Sequence, residues 1–308
     1  MVQAKISVLI VTYKQADVIG RNLDSILQQK DDGLFEIVIC DDCSPDNNWE
    51  IISEYVKRYP SIIRAYRNEK NLGIYGNSNK LIQLRGDADL FCWVEGDDAL
   101  CSGFFKSIQS FIMQNNININ DNLGIFCDWK SVDVEGKEQL YHNEIAISKY
   151  PKMGLYLRSL LSWRGSVFSQ TLMNNFSETD TSLGLGTSEM LFDIQWFRYL
   201  EKSYYLNVPG TLYYSGIGVS KDFDWTSEWR TTDAIKKWKY FKDNELTSKK
   251  DKLWADHFIN KAQYMIKPSF LSFIKSFYCF CKGSYKENRD SYKKFKEFLY
   301  PFYLRIKK

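Results

Sequence analysis

Residues 90–98 read LFCWVEGDD, five apolar residues followed by three carboxylates around one glycine. A run this short and this apolar suits a strand buried on both faces. Solvation alone does not explain three carboxylates at its end. Glu95 and Asp97 stand two apart in a tight turn, so both can point into one cleft and hold a hard cation through oxygen. Mg²⁺ or Mn²⁺ bound in this way takes one or two carboxylates and completes its shell with phosphate oxygens. Gly96 between them lets the backbone turn sharply and lets a phosphate come close.

Working outward, the same arrangement recurs. Phe35–Cys40 (FEIVIC) is a second short apolar run, ending in Asp41-Asp42, and Ile6–Val11 is another, ending in Thr12-Tyr13. A carboxylate after the FEIVIC run can accept the imide N–H of a uracil, while Ser44 and Asp46 suit the cap of a following helix. Asp17–Gln28, Trp49–Tyr59 and Asn77–Leu84 have helical spacing, and Ile62–Tyr66 is a further strand. Strands alternating with helices predict an α/β fold with a mainly parallel sheet flanked by helices. Ligands of such sheets bind beyond the carboxyl ends of the strands, so these strand ends mark one shared site. The turn Thr12-Tyr13-Lys14-Gln15 lacks the GxGxxG pattern, which disfavours an ordinary dinucleotide-binding domain. Further on, Ile125–Cys127 and Ser131–Val134 are expected strands, and 155–161 and 190–200 expected helices.

The blocks ISVLIVTYKQADVIGRNLDSILQQ, EIVICDDCSPDNNWEII, RNEKNLGIYGNSNKLI and WVEGDDAL resemble, in order and spacing, those of the family 2 glycosyltransferases with the GT-A fold. The likeness covers about residues 5–105 and weakens towards 222. It implies an inverting enzyme that moves a sugar from a UDP-sugar to a hydroxyl of a glycan or lipid-linked acceptor, as in bacterial surface polysaccharide synthesis. On this resemblance Thr12 and Tyr13 line the base, and Asp42, with Asp41 beside it, reads the uracil. Gly73 and Asn79 belong to the block after the third strand. Glu95 lies near the ribose or a metal-bound water, and Asp97 is the direct ligand of Mg²⁺ or Mn²⁺. The general base stands ahead of an amphipathic helix, which falls in 187–198, where Glu189 and Asp193 both remain candidates. In the closing stretch 212–220, Ser215 and Ile217 occupy positions where arginine and histidine are common in the family. Two other classes compete: a sugar nucleotidyltransferase, whose glycine-rich signature VTYKQADVIG lacks, and a non-catalytic nucleotide- or nucleic-acid-binding module.

Charge divides the chain. From Trp225 onward 20 Lys/Arg face 9 Asp/Glu, a balance of +11, while the preceding 224 residues carry 21 against 29, or −8. An acidic body argues against a nucleic-acid groove. The division places a catalytic domain at 1–222 and a basic, aromatic-rich helical extension at 223–308. In the extension Phe270, Phe273, Ile274, Phe277, Tyr278 and Cys281 share one helical face, with Ser269, Ser272, Lys275 and Ser276 opposite. Such a face suits an anionic membrane surface, and it equally suits packing on the catalytic domain or on a second copy of the chain. The seven cysteines, an odd number within mostly apolar runs, fit a reducing compartment. No charged leader with a cleavage site opens the sequence, and no stretch reaches the ~18 apolar residues of a membrane span. The expected location is the cytoplasm, at the inner face of the membrane if the extension docks there.

Overall fold

The computed structural model describes residues 3–143, 163–176, 178, 199–217, 228–243, 249–267 and 269–283. The helix expected at 155–161 and the segment carrying Glu189 and Asp193 lie outside these residues. The described residues up to 217 belong to one compact unit and those from 228 to a second.

In the first unit the alternation read from the sequence is present: β1 (Ile6–Thr12), α1 (Ile19–Leu27), β2 (Leu34–Asp41), α2 (Asn48–Arg58), β3 (Ile63–Arg67), α3 (Gly73–Leu84) and β4 (Leu90–Glu95). After these come β5 (Ala99–Leu100), α4 (Phe104–Gln114), β6 (Leu123–Val132), β7 (Glu138–Tyr141), β8 (Val167–Ser169), α5 (Gln170–Asn174) and β9 (Lys202–Tyr214). The strands form one sheet in the order β3-β2-β1-β4-β8-β6-β9-β5, with β7 added on β6. Pairing is parallel from β3 through β4. Beyond β4 the directions mix: β8 runs antiparallel to β4 and β6, β6 is parallel to β9, and β5 and β7 are antiparallel additions. The fold is thus a mixed α/β sheet flanked by helices, and "mainly parallel" describes its first half.

The strand expected at 125–127 and the start of the one expected at 131–134 belong to one continuous strand, β6, which ends at Val132 and has irregular register on either side of Asp128. This carboxylate breaks the apolar run without breaking the strand. It is buried, accepting Tyr205 OH at 2.9 Å and Asn143 N at 3.1 Å, with His142 Nδ1 2.7 Å away.

Both faces of the sheet are covered. Val8, Ile10, Ile37, Ile39, Cys92 and Val94 pack with Leu23, Ile26, Ile52, Phe105 and Ile108 of α1, α2 and α4. Leu9, Val11, Val38, Cys40, Phe91 and Trp93 pack with Leu81 and Ile82 of α3 and Leu172 of α5. Neighbouring residues on each strand therefore enter opposite cores, which is why the sequence shows unbroken apolar runs. Each fully buried Val, Leu, Ile or Phe adds about 1.5–3 kcal/mol of transfer free energy. The strands end together where the polar residues begin.

The second unit contains α6 (Glu228–Asp243), α7 (Lys249–Ile266) and α8 (Phe270–Gly283). Trp238, Phe241, Ala255 and Ile259 form its core, with Phe258 stacked on Trp238 at 4.3 Å. Against α7, α8 turns its small face: Ser272, Ser276 and Cys279 are buried. Its large apolar side chains face outward, with Phe270 78% and Leu271 62% exposed and Ile274, Phe277 and Tyr278 also exposed. Among the described residues no helix is long and apolar enough to cross a membrane.

His257 joins the two helices. Its ring is buried, with Nδ1 3.0 Å from Ser276 Oγ and 3.1 Å from Ser276 O. Burial lowers its pKa to about 4. Below about pH 6.5 the unfolded chain binds a proton that the folded chain refuses, so stability falls with pH until about pH 4 and then levels. Urea melts of this unit, compared at pH 7 and pH 4, should show a loss of about 3 kcal/mol that disappears in His257→Gln. Identical pH dependence in the two proteins would contradict the assignment.

Candidate functional site

The turns after β1 and β2 interlock. Lys14 (φ 56°) and Cys43 (φ 57°) both adopt the left-handed region, which non-glycine residues enter at a cost and which clusters at functional sites. Lys14 N donates to Ser44 Oγ at 3.0 Å and Ala16 N to Asp46 Oδ2 at 3.1 Å, so each turn braces the other.

Asp41 and Asp42 take different parts. Asp41 is wholly buried, accepting Ser44 N and Oγ and Asn48 Nδ2, with Arg67 Nε 3.4 Å away. Its carboxylate is used in building the turn. Asp42 accepts Asn68 Nδ2 (2.9 Å) and Leu72 N (2.8 Å), both on Oδ1, which leaves Oδ2 for a further donor. Asn68 also donates to Asn77 Oδ1, and Asn77 donates to Cys40 O, tying β2 to α3. Asn79, the residue singled out from the sequence, is buried on α3, and Asn77 on the same helix accepts Asn68 Nδ2 of the Asp42 network. Thr12 is buried, with its hydroxyl accepting Asn48 Nδ2, while Tyr13 presents a 38% exposed ring. Gly73 has φ 73° and opens α3, its N–H donating to Asn71 Oδ1.

The acidic turn after β4 is clamped from α1. Asn22 Nδ2 donates to Glu95 O at 2.9 Å and to Asp98 O at 3.0 Å, and Arg21 Nη2 donates to Asp97 O at 2.8 Å. Gly96 N donates to Val11 O. A Cβ on Gly96 would sit 2.3 Å from Gln15 Oε1 and 2.9 Å from Thr12 Cβ, so this position needs glycine for the approach of the β1 turn. Glu95 and Asp97 are partly exposed, and Asp98 is buried. Burial pushes the Asp97 carboxyl above its ordinary range, opposed by Arg164, Gln15 and Arg21. Asp98 lies 3.7 Å from Arg164 Nε.

A signal absent from the sequence marks the same region. Gln15 Oε1, Arg21 Nε, Asn22 Oδ1, Asp46 Oδ1, Asn48 Oδ1 and Thr211 Oγ1 are buried without a hydrogen-bond partner in the protein. Such atoms are costly in a folded core, and here they lie in the turns after β1 and β2, on the adjoining helices α1 and α2, and on β9. Ordered water, an ion or a polar ligand would satisfy them.

The donor set fits a divalent cation of the Mg²⁺ or Mn²⁺ kind: hard carboxylate oxygens of Asp97 and Glu95, with Gln15 Oε1 beside the turn. Among the described residues no three His, Cys, Asp or Glu side chains form a cage. Cys40 and Cys43 are free thiols, and burial raises Cys40 to about 12.

Comparison with known proteins follows the same lines. The chain is 31% identical over 119 residues, 37% of its length and 18% of the relative's, to the poly(ribitol-phosphate) beta-glucosyltransferase of Bacillus spizizenii. Its fold matches Staphylococcus aureus TarS 1–349 in complex with UDP-GlcNAc at a TM-score of 0.57 and 16% identity, covering 91% of this chain and 80% of that one. It matches GalNAc-T7 with UDP, GalNAc and Mn²⁺ at 0.56 and 14%, covering 96% and 56%. The matched segments span only 18–38% of the curated relatives' lengths. The Glycosyl transferase family 2 model matches residues 7–162, half of the sequence and every strand-end motif of the site. The chain belongs to glycosyl transferase family 2.

Proposed function

We propose that the protein transfers a sugar from a UDP-sugar to an acceptor hydroxyl with inversion, in the assembly of a bacterial surface glycan. The observation that carries this is the convergence of the Asp42 network and the acidic turn, with their unpartnered polar atoms, at one end of the sheet. Supporting parallels are the poly(ribitol-phosphate) beta-glucosyltransferase and the fold neighbour TarS in complex with UDP-GlcNAc.

In this reading Asp42 Oδ2 accepts the uracil imide N–H beside the exposed ring of Tyr13, while Thr12, Asp41 and Asn79 shape the pocket. Asp97, with Glu95 directly or through water, would hold the divalent cation, for which the Mn²⁺ of the GalNAc-T7 structure is a precedent. When bound, the cation offsets charge on the departing diphosphate. Glu189 or Asp193 takes the proton of the acceptor hydroxyl as its oxygen bonds to the anomeric carbon. The bond from that carbon to the β-phosphate oxygen breaks on the opposite side, and its electron pair leaves with UDP. Incubation with a panel of UDP-sugars and Mn²⁺ tests the reading. Release of UDP is expected from at least one donor, whereas UTP formed from pyrophosphate and a UDP-sugar would indicate a nucleotidyltransferase instead.

Asp42→Ala should weaken uridine and UDP alike by about 1–3 kcal/mol, the worth of one charge-assisted hydrogen bond. Unchanged affinity in calorimetry would return this carboxylate to a purely structural role in holding Asn68 and Leu72.

The outward apolar face of α8, within a segment carrying +11, supports docking on an anionic membrane at which a lipid-linked acceptor resides. Each nearby Lys or Arg adds about 1 kcal/mol at such a surface. The triple substitution Phe270→Ser, Leu271→Ser, Ile274→Ser changes only exposed positions. It should abolish sedimentation with phosphatidylglycerol vesicles at low salt and leave UDP release intact. A wild-type protein that ignores these vesicles would overturn the proposal.

A further inference from the structure

The acidic turn is continued sideways by a row of paired residues. β5 begins directly after Asp98 and pairs with β9, setting Leu100 opposite Thr211. On the other side of β9, Trp129 of β6 lies opposite the same Thr211, and on β7 Tyr141 lies opposite Trp129. Leu100, Thr211, Trp129 and Tyr141 therefore form one line across β5, β9, β6 and β7. At about 4.8 Å per strand, Tyr141 stands about 14 Å from the strand that leaves the acidic turn.

The outer half of this line is aromatic. The Trp129 and Tyr141 rings are stacked, with centroids 4.1 Å and planes 5° apart. Tyr213, two residues along β9 from Thr211, meets Trp129 edge-on at 6.1 Å and 85°. All three side chains are partly exposed. Among the described residues Trp129 is the one ring that touches Tyr141, and neither the Trp129 indole N–H nor the Tyr141 hydroxyl has a hydrogen-bond partner. Thr211 Oγ1, in the same line, is buried and also lacks one.

We infer, on the UDP-sugar reading above, that this platform binds a pyranose ring of the acceptor glycan. One face of a pyranose presents C–H bonds, apolar and weakly positive, which match the negative face of an aromatic ring. The hydroxyls of the sugar project around its edge. A site for such a ring needs a flat aromatic surface with polar groups at the rim. Tyr141, backed by Trp129, supplies the surface, and its hydroxyl and the indole N–H supply the rim. The place also suits an acceptor. UDP is assigned to the ends of β1, β2 and β4, and inversion requires the acceptor to approach from the side away from the departing diphosphate. The platform lies on that other flank of the acidic turn. The gap of about 14 Å leaves room for the donor sugar and the acceptor's attacking residue, three strand spacings in all.

Saturation-transfer NMR of the full chain, with UDP and Mn²⁺ present, tests this. The probes are the methyl pyranosides of glucose, galactose, N-acetylglucosamine and rhamnose. At least one should bind the wild type, with saturation strongest on the C–H protons of one ring face. That binding should weaken about tenfold in Tyr141→Ala and Tyr141→Leu, the scale of one lost ring stack, and stay within twofold in Tyr141→Phe. A cross-strand aromatic pair also strengthens a hairpin, and leucine keeps apolar bulk there without offering a ring face. Equal binding by Tyr141→Leu and the wild type would therefore overturn the assignment. So would a parallel fall in UDP affinity in the Leu variant, which would give the pair a role in building the site. A wild type that binds UDP and none of the glycosides would overturn it too, with the UDP-sugar reading left standing. Failure to bind UDP as well would instead refute that reading and remove the platform with it.

Discussion

Asp97→Asn should reduce sugar transfer about 10³-fold, the scale of the several kcal/mol that a bound cation supplies to a departing phosphate. The amide matches the carboxylate in shape but has no charge to hold a cation. The fold should persist, because the bond that Arg21 makes to this residue goes to the backbone carbonyl. Asp97 is also partly exposed, so the substitution opens no core cavity. Initial rates of UDP release, with a thermal melt of the variant as control, provide the measurement. Full activity in Asp97→Asn, or in the wild type with excess chelator, would remove the metal from the account. The unusual first carboxylate makes a useful comparison. Glu95→Asp should be tolerated far better if its contact runs through water.

The second large effect concerns proton removal. Either Glu189→Gln or Asp193→Asn should lower kcat by about 10²–10⁴-fold while leaving UDP-sugar affinity nearly unchanged. The two residues differ in what they offer. Glu189 follows Ser188, a pair suited to a helix start facing a cleft, whereas Asp193 lies nearer the Trp-Phe-Arg that ends the family's helix block. Rapid-quench measurement of single turnovers separates the chemical step from donor binding. If neither substitution slows it, the base lies elsewhere in the protein.

Why some of this was legible in the sequence, and some not, follows from how each residue meets its partners. β1, β2 and β4 are buried on both faces, so their side chains form unbroken apolar runs that can be recognised without a structure. β9 is as much a part of the sheet, but KSYYLNVPGTLYY contains Pro209 and Gly210 and is mostly only partly buried, so no run stands out. β6 divided in the reading because Asp128 interrupts it, although that carboxylate is satisfied by Tyr205 and Asn143. Among the described residues of the extension, α6, α7 and α8 are helices, and α8 carries the aromatic face seen in the sequence. Which face turns inward was decided by Ser272, Ser276 and Cys279, small enough to let α8 rest on α7.

In the site, carboxylates at strand ends announce themselves, and Asp42 and the acidic turn needed no structure to be noticed. The groups that hold them did not. Asn22 lies among Ile19, Leu23 and Ile26 on the inner side of α1, where a lone amide gives no pattern, although it fixes the turn through two carbonyls. Asn68 and Asn77 sit in separate elements and meet only through the fold. Arg21 and Arg164 stand out in no sequence pattern, yet their guanidinium groups lie 3.4 Å and 4.6 Å from the ring centroids of the consecutive Tyr214 and Tyr213.

The central claim is that the acidic turn and the Asp42 network hold the two ends of one UDP molecule. It is tested most directly by crystals grown with UDP and Mn²⁺, using anomalous diffraction at the manganese edge. The account predicts a single strong peak about 2.0–2.3 Å from an Asp97 carboxylate oxygen, the range for a hard cation on a carboxylate, with the diphosphate beside it. The uracil should lie within hydrogen-bond distance of Asp42 Oδ2. Manganese bound away from Asp97, or a uracil that makes no contact with Asp42, would contradict the account.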